Sequence, residues 1–206
     1  MEEKEIQDQL ASIRSLMERS SKFISLSGLS GVLAGVYALV AAGFAWTILY
    51  NGTSRSYTAA DIQTNGQPVY TLLFIAILVL ALSLGTGVLL TIRKAKRKGQ
   101  PVWGKISRAL LFHMATPLFS GGLLILILIF RGYYGIVSPA SLIFYGLALV
   151  SASNFTFILV RYLGLCEIAL GLIAACLPGY GLLFWAIGFG VLHIIYGSVM
   201  YLKYDK

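Results

Sequence analysis

Glu167 and His193 are ionisable side chains set inside long apolar runs, one on each side of the stretch Leu177-Pro178-Gly179-Tyr180-Gly181. A carboxyl group and an imidazole held together can share a proton, pass it on or, with further donors, hold a metal ion. Glu167 lies twelve residues before Gly179 and His193 thirteen after Tyr180. Two helices running antiparallel from that turn therefore bring both groups to the same depth. Helical spacing puts Glu167 on a face with Gly164, Gly171 and Ala174, and His193 on one with Ala186, Gly190 and Gly197. Small residues let two backbones approach closely, so both polar groups sit on faces suited to contact. Away from water such a pair is favoured as a neutral couple sharing one proton. Two roles are open to it: a titrating pair, or a buried hydrogen bond that fixes the register of two helices.

Other polar residues could line the same interior. His113, Thr116, Ser153 and Asn154 lie within or at the ends of neighbouring apolar runs. Pro117, followed by Ser120-Gly121-Gly122, predicts a kink, because proline removes one backbone donor and glycine loosens the helix. Broken helices beside polar side chains build midplane sites in transporters, although a locally satisfied kink is the commoner arrangement. Two histidines and a glutamate could in principle bind zinc. Yet the sequence has no His-Glu-x-x-His pair, and no histidine is placed to activate Ser120 as a nucleophile. No catalytic residue, metal or cofactor is assigned on this basis. Cys166 and Cys176, about 15 Å apart along one helix, cannot pair with each other and read as small packing residues.

The elements that must carry these residues follow from composition. The chain is 58% hydrophobic and 12% charged, with a mean hydropathy of +0.82, whereas soluble domains carry about 25% charged residues. A span needs ~20 mainly apolar residues to cross ~30 Å of hydrocarbon. The sequence predicts an all-α, polytopic bundle of six spans, near 23–50, 69–92, 106–130, 139–159, 162–177 and 181–202. The fourth and fifth meet at Arg161 with almost no loop. Residues 1–22 form a cytoplasmic amphipathic helix and 203–206 a cytoplasmic tail.

Basic residues set the direction. Lys4, Arg14, Arg19, Lys22, Arg93, Lys94, Lys96, Arg97, Lys98, Lys105, Arg108, Arg161, Lys203 and Lys206 fall on one side, leaving Arg55 and Arg131 on the other. The positive-inside rule then puts both termini in the cytoplasm. The net charge of +8 is thus explained by orientation, without nucleic acid, and the run Arg93 to Lys98 reads first as a topology anchor and second as a site for anionic lipid. The triplets Asn51-Gly52-Thr53 and Asn154-Phe155-Thr156 carry no weight as glycosylation sites.

Ile6, Leu10, Ile13 and Met17 repeat at spacings of four and three, the seam of a helix that pairs with a partner helix, self-associates or folds back on its own chain. In the first span Ser27, Gly31 and Gly35 form a small-xxx-small face for another span or another chain, the internal contact being favoured.

Tyr162-Leu-Gly-Leu-Cys-Glu167, the Leu177 to Gly181 turn, Gly188-Phe-Gly-Val-Leu-His193-Ile-Ile-Tyr-Gly197 and the opening run Met17 to Gly31 resemble a family of small six-span bacterial inner-membrane proteins without an assigned activity. The resemblance implies a bacterial inner membrane and brings no mechanism. Function is therefore expected to be that of a non-enzymatic scaffold, sensor or regulator with a cytoplasmic helical contact. The alternatives are a small-solute or proton-linked transporter using the Glu167–His193 pair and, last, a metal-dependent intramembrane enzyme. Reporter tags fused to the two termini are expected on the same, cytoplasmic face; tags reporting from opposite faces would remove the six-span reading.

Overall fold

The computed structural model describes Ile6, Gln7, Gln9, Leu10, Ile13 and residues 27–50, 67–97, 99 and 102–205. Met17 and the remainder of 1–22, the Asn51 triplet and Arg55 lie outside the described residues. Ile6, Leu10 and Ile13 have helical backbone and more than half of each is exposed. All regular structure among the described residues is helical. It comprises α1 (Gly28–Tyr50), α2 (Gln67–Arg97), α3 (Lys105–Phe130), α4 (Val137–Ala152), α5 (Ile158–Cys176), α6 (Gly181–Trp185) and α7 (His193–Met200). A π-helical segment, Ala186–Leu192, joins α6 to α7, and another, Tyr201–Asp205, follows. These last four pieces make one continuous span, so six helices are long and apolar enough to cross a membrane.

Three boundaries differ from the sequence reading, each for a local reason. α2 continues past Ile92 to Arg97, because Lys and Arg are good helix formers and their charges suit a helix C-terminus. Arg93 to Arg97 of the basic run thus form the end of a helix and not a loop. α5 starts at Ile158, which places Arg161 in its first turn; the chain reverses earlier, at Ser153–Phe155 and the extended Thr156. Arg161 donates to Ser153 Oγ at 3.2 Å and to Asn154 Oδ1 at 3.0 Å, so both residues serve that reversal. The sixth span runs to Tyr204, beyond the expected end at 202. α3 passes unbroken through Pro117, with Thr116 donating to Phe112 O and Ser120 to Thr116 O.

Two reversals depend on glycine. Gly132 has φ +78°, and its N–H bonds Ile129 O while that of Tyr133 bonds Leu128 O, the paired bonds of a Schellman cap on α3. Gly179 has φ +96° in the turn before the sixth span, a conformation that side chains with a Cβ rarely adopt.

Packing is uneven. α4 lies against α3, α5 and α6, while α1 lies against α2 and the sixth span. The α4–α5 seam brings Gly146 and Gly164 together so tightly that a Cβ on either would come within 2.6–2.7 Å of the other's carbonyl oxygen. In the seam between α1 and the sixth span, a Cβ on Gly35 would meet Gly190 O at 2.6 Å, and one on Gly31 would meet Gly197 Cα at 3.1 Å. The small face of the first span therefore binds inside the same chain. The apolar stretch of α2 has no buried residue, against 39% for that of the fourth span. α2 and α3 are thus attached along one edge each.

Alanine at Gly146 or Gly35 is expected to lower the thermal midpoint of the detergent-solubilised protein, each costing about 1–3 kcal/mol through overpacking. Gly43→Ala should leave it unchanged or slightly higher, because a Cβ there meets nothing within 4 Å.

Candidate functional site

The fourth, fifth and sixth spans each place one polar side chain at a common point. Glu167, on α5, is 0% exposed, and His193, at the start of α7, is 5% exposed. Glu167 Oε1 lies 3.4 Å from His193 Nδ1, an ion-pair distance and longer than a good hydrogen bond. The same Nδ1 lies 3.0 Å from Gly188 O, and Nε2 lies 2.7 Å from the hydroxyl of Tyr145 on α4. A carbonyl only accepts, so Nδ1 carries the proton of the Gly188 bond. In the neutral ring Nε2 is then the acceptor and Tyr145 donates to it.

Local sequence explains this placement. Around Gly188 and Gly190 the helix widens into its π segment, and the backbone N–H of His193 bonds Gly190 O while its side chain takes Gly188 O. Gly188 has a second role: a Cβ there would come within 2.5 Å of both Glu167 Oε2 and Leu142 Cδ2. Only a bare backbone leaves room for the carboxyl group.

The small faces noted in the sequence serve other neighbours. Gly164 and Gly171 face Gly146, Ile143 and the Pro139 carbonyl of α4, while Gly190 and Gly197 face Leu39, Val32 and Gly28 of α1. Glu167 and His193 meet instead at Gly188, which lies two residues before Gly190 and so faces Glu167 and Leu142 from a different side of the sixth span. Gly188, with Tyr145, was not singled out by sequence reasoning. Two signals were available: Tyr145 places a phenolic hydroxyl well inside the fourth apolar run, and Trp185, Phe189 and His193 recur every fourth residue.

That aromatic row continues the site outward. Phe189 packs against Tyr145 and Trp185, with ring centroids 4.9 and 5.2 Å apart. Tyr145, Phe189 and His193 line a cavity of about 760 Å³ whose other walls come mainly from α1, α2 and α3, with Leu149 of α4 and Val160 and Leu163 of α5 closing its floor. Glu167 is not in that lining and lies behind His193. Both of its carboxyl oxygens are buried without a hydrogen-bond partner among the described residues. Such a group is costly in a dry interior unless something compensates it.

The remaining polar residues fall elsewhere. His113 is exposed and rests on Phe155, 4.9 Å between centroids, at the reversal between α4 and α5. Thr116 is tied to its own helix, and Ser153 and Asn154 hold Arg161. None of the four lines the cavity. Cys166 and Cys176 are free thiols on the exposed face of α5.

Tyr145, His193 and Glu167 have the connectivity of a short relay. A proton given by the Tyr145 hydroxyl to Nε2 can be matched by loss of the Nδ1 proton to a Glu167 carboxylate, if the Nδ1–H moves from Gly188 O to Oε1 and the phenolate regains a proton from the cavity side. The same connectivity also suffices as a purely structural clamp on three helices. The fold and site define an all-helical bundle, with six helices long and apolar enough to cross a membrane and, among the described residues, one Tyr–His–Glu set at its interior. Neither a protein-family model, nor a curated protein, nor a solved structure matches the chain.

Tyr145→Phe is expected to destabilise the protein by about 1–3 kcal/mol by leaving Nε2 without its donor. Gly188→Ala, which drives a methyl group into the carboxyl, should cost a similar amount. Thermal or denaturant unfolding in detergent reads both, and a neutral Tyr145→Phe would show that the 2.7 Å contact contributes no stability.

Proposed function

We propose that this chain is a non-enzymatic scaffold, sensor or regulator of the bacterial inner membrane, with both termini in the cytoplasm and its amino-terminal helix as the contact for a helical partner or a second copy. Orientation rests on the Lys and Arg asymmetry, and the membrane on the resemblance of both ends of the chain to small six-span bacterial proteins. The exposed apolar residues Ile6, Leu10 and Ile13 support the contact role. One observation carries the reading: Glu167 is wholly enclosed and touches His193, with no opening of its own onto the cavity. A group so placed fixes the register of α4, α5 and the sixth span, as buried polar groups do elsewhere when they specify one packing.

A second reading, a proton-linked carrier, is favoured by the connection from the cavity-lining Tyr145 and His193 to the enclosed Glu167. There the pair exchanges protons and the loosely attached α2 and α3 move.

Proton flux into liposomes separates the two. Wild type and Glu167→Gln are both expected to match empty liposomes under an imposed pH gradient, with Glu167→Gln still folded. Collapse of the gradient by wild type and not by Glu167→Gln would overturn the scaffold reading in favour of the carrier.

A further inference from the structure

We infer that the cleft between α2 and α3 holds an acyl chain of an anionic phospholipid, whose phosphate is bound at the basic end of these two helices. The inference stands apart from the role given to Glu167. Its first basis is the cavity itself: at about 760 Å³ it falls within the range of small-molecule sites, ~300–1,000 Å³. Its lining runs along α2 from Ala76 to Thr91, and along α3 from Ser107 to Ile125. Fifteen residues at ~1.5 Å each give ~22 Å, which exceeds the ~15 Å depth of one leaflet's hydrocarbon. The cleft is long enough for a lipid chain lying parallel to the helices.

Charge supplies the second basis and selects the head group. The lining ends at Thr91, Ile92, Val102 and Trp103. Immediately beyond lie Arg93, Lys94, Lys96 and Arg97 on α2, with Lys105 and Arg108 on α3. Between Thr91 and Arg108 the sequence has no Asp or Glu. Arg93, Lys96, Arg97, Lys105 and Arg108 are exposed, while Lys94 lies over the Phe157 ring. Trp103, 64% exposed, stands at the same mouth, where an amphipathic ring suits the head-group boundary. At the opposite end of α3, Arg131 is the one Lys or Arg among the described residues. A basic pocket between spans is a recognised way to hold an anionic head group. An uncharged hydrophobe would use the apolar walls but gain nothing from the cations at the mouth.

The full chain, purified in detergent and offered equimolar phosphatidylglycerol and phosphatidylcholine, is the system for the test. Native mass spectrometry counts the retained lipid. One phosphatidylglycerol per chain is expected to be held in preference to phosphatidylcholine. In Arg93→Gln/Lys96→Gln/Arg97→Gln that preference should fall by roughly five-fold for each cation removed. Gly87→Leu/Gly122→Leu fills the cleft from both walls, and a Cβ at either position meets nothing within 4 Å. That variant should lose both lipids while keeping its helical circular dichroism; should it misfold, Ser83→Phe on the α2 wall is expected to act alike. Equal retention of the two lipids by wild type overturns the proposal. So does undiminished phosphatidylglycerol in a folded cleft-filled variant, which would put the lipid on the outer surface of the helices.

Discussion

Backbone contact at glycine is the constraint on which this structure depends. Lipid tails are as apolar as the helices they surround, so burying Leu or Ile between spans gains little over leaving them in the bilayer. What gains is close van der Waals approach, and it needs positions without side chains. Gly146 against Gly164 closes the α4–α5 seam, and Gly28, Gly31 and Gly35 against Gly190 and Gly197 close the seam between α1 and the sixth span. Large apolar residues such as Phe44, Leu147 and Leu172 remain outward on the same helices. The arrangement inverts the usual soluble pattern, in which bulk goes inward.

The polar set depends on those seams. With α4 held on α5 and the sixth span held on α1, Tyr145, Glu167 and His193 converge from three helices on one spot. Gly188 then decides the fit. Its missing side chain makes space for the carboxyl group, and its carbonyl accepts the imidazole proton. Nδ1 thus has two acceptors within reach, at 3.0 and 3.4 Å, and favours the backbone one. A clamp and a relay share this geometry; what separates them is whether the ring changes acceptor.

The other half of the molecule follows a different logic. α2 and α3 each have one close neighbour, α1 and α4 respectively, and the space between them is walled by the aromatic row of the sixth span. Both helices are apolar enough to cross a membrane, where hydrophobicity would not press them on each other. The division is therefore between a tight four-helix core and two outer helices with an apolar cleft between them.

Much of this was legible in the residues alone. Six apolar runs, their basic flanks, the Pro178-Gly179 reversal and the matched depth of Glu167 and His193 follow from helix rise and bilayer thickness, which are local properties of the chain. Partner choice was not legible. A glycine face states that some backbone comes close, yet Gly164 and Gly190 read alike in sequence and face α4 and α1. Nor could spacing show that Tyr145 would reach His193 across forty-eight residues, or that His113 would turn to Phe155. Those outcomes depend on the rotation of each helix about its axis, and rotation is settled when all the seams close together.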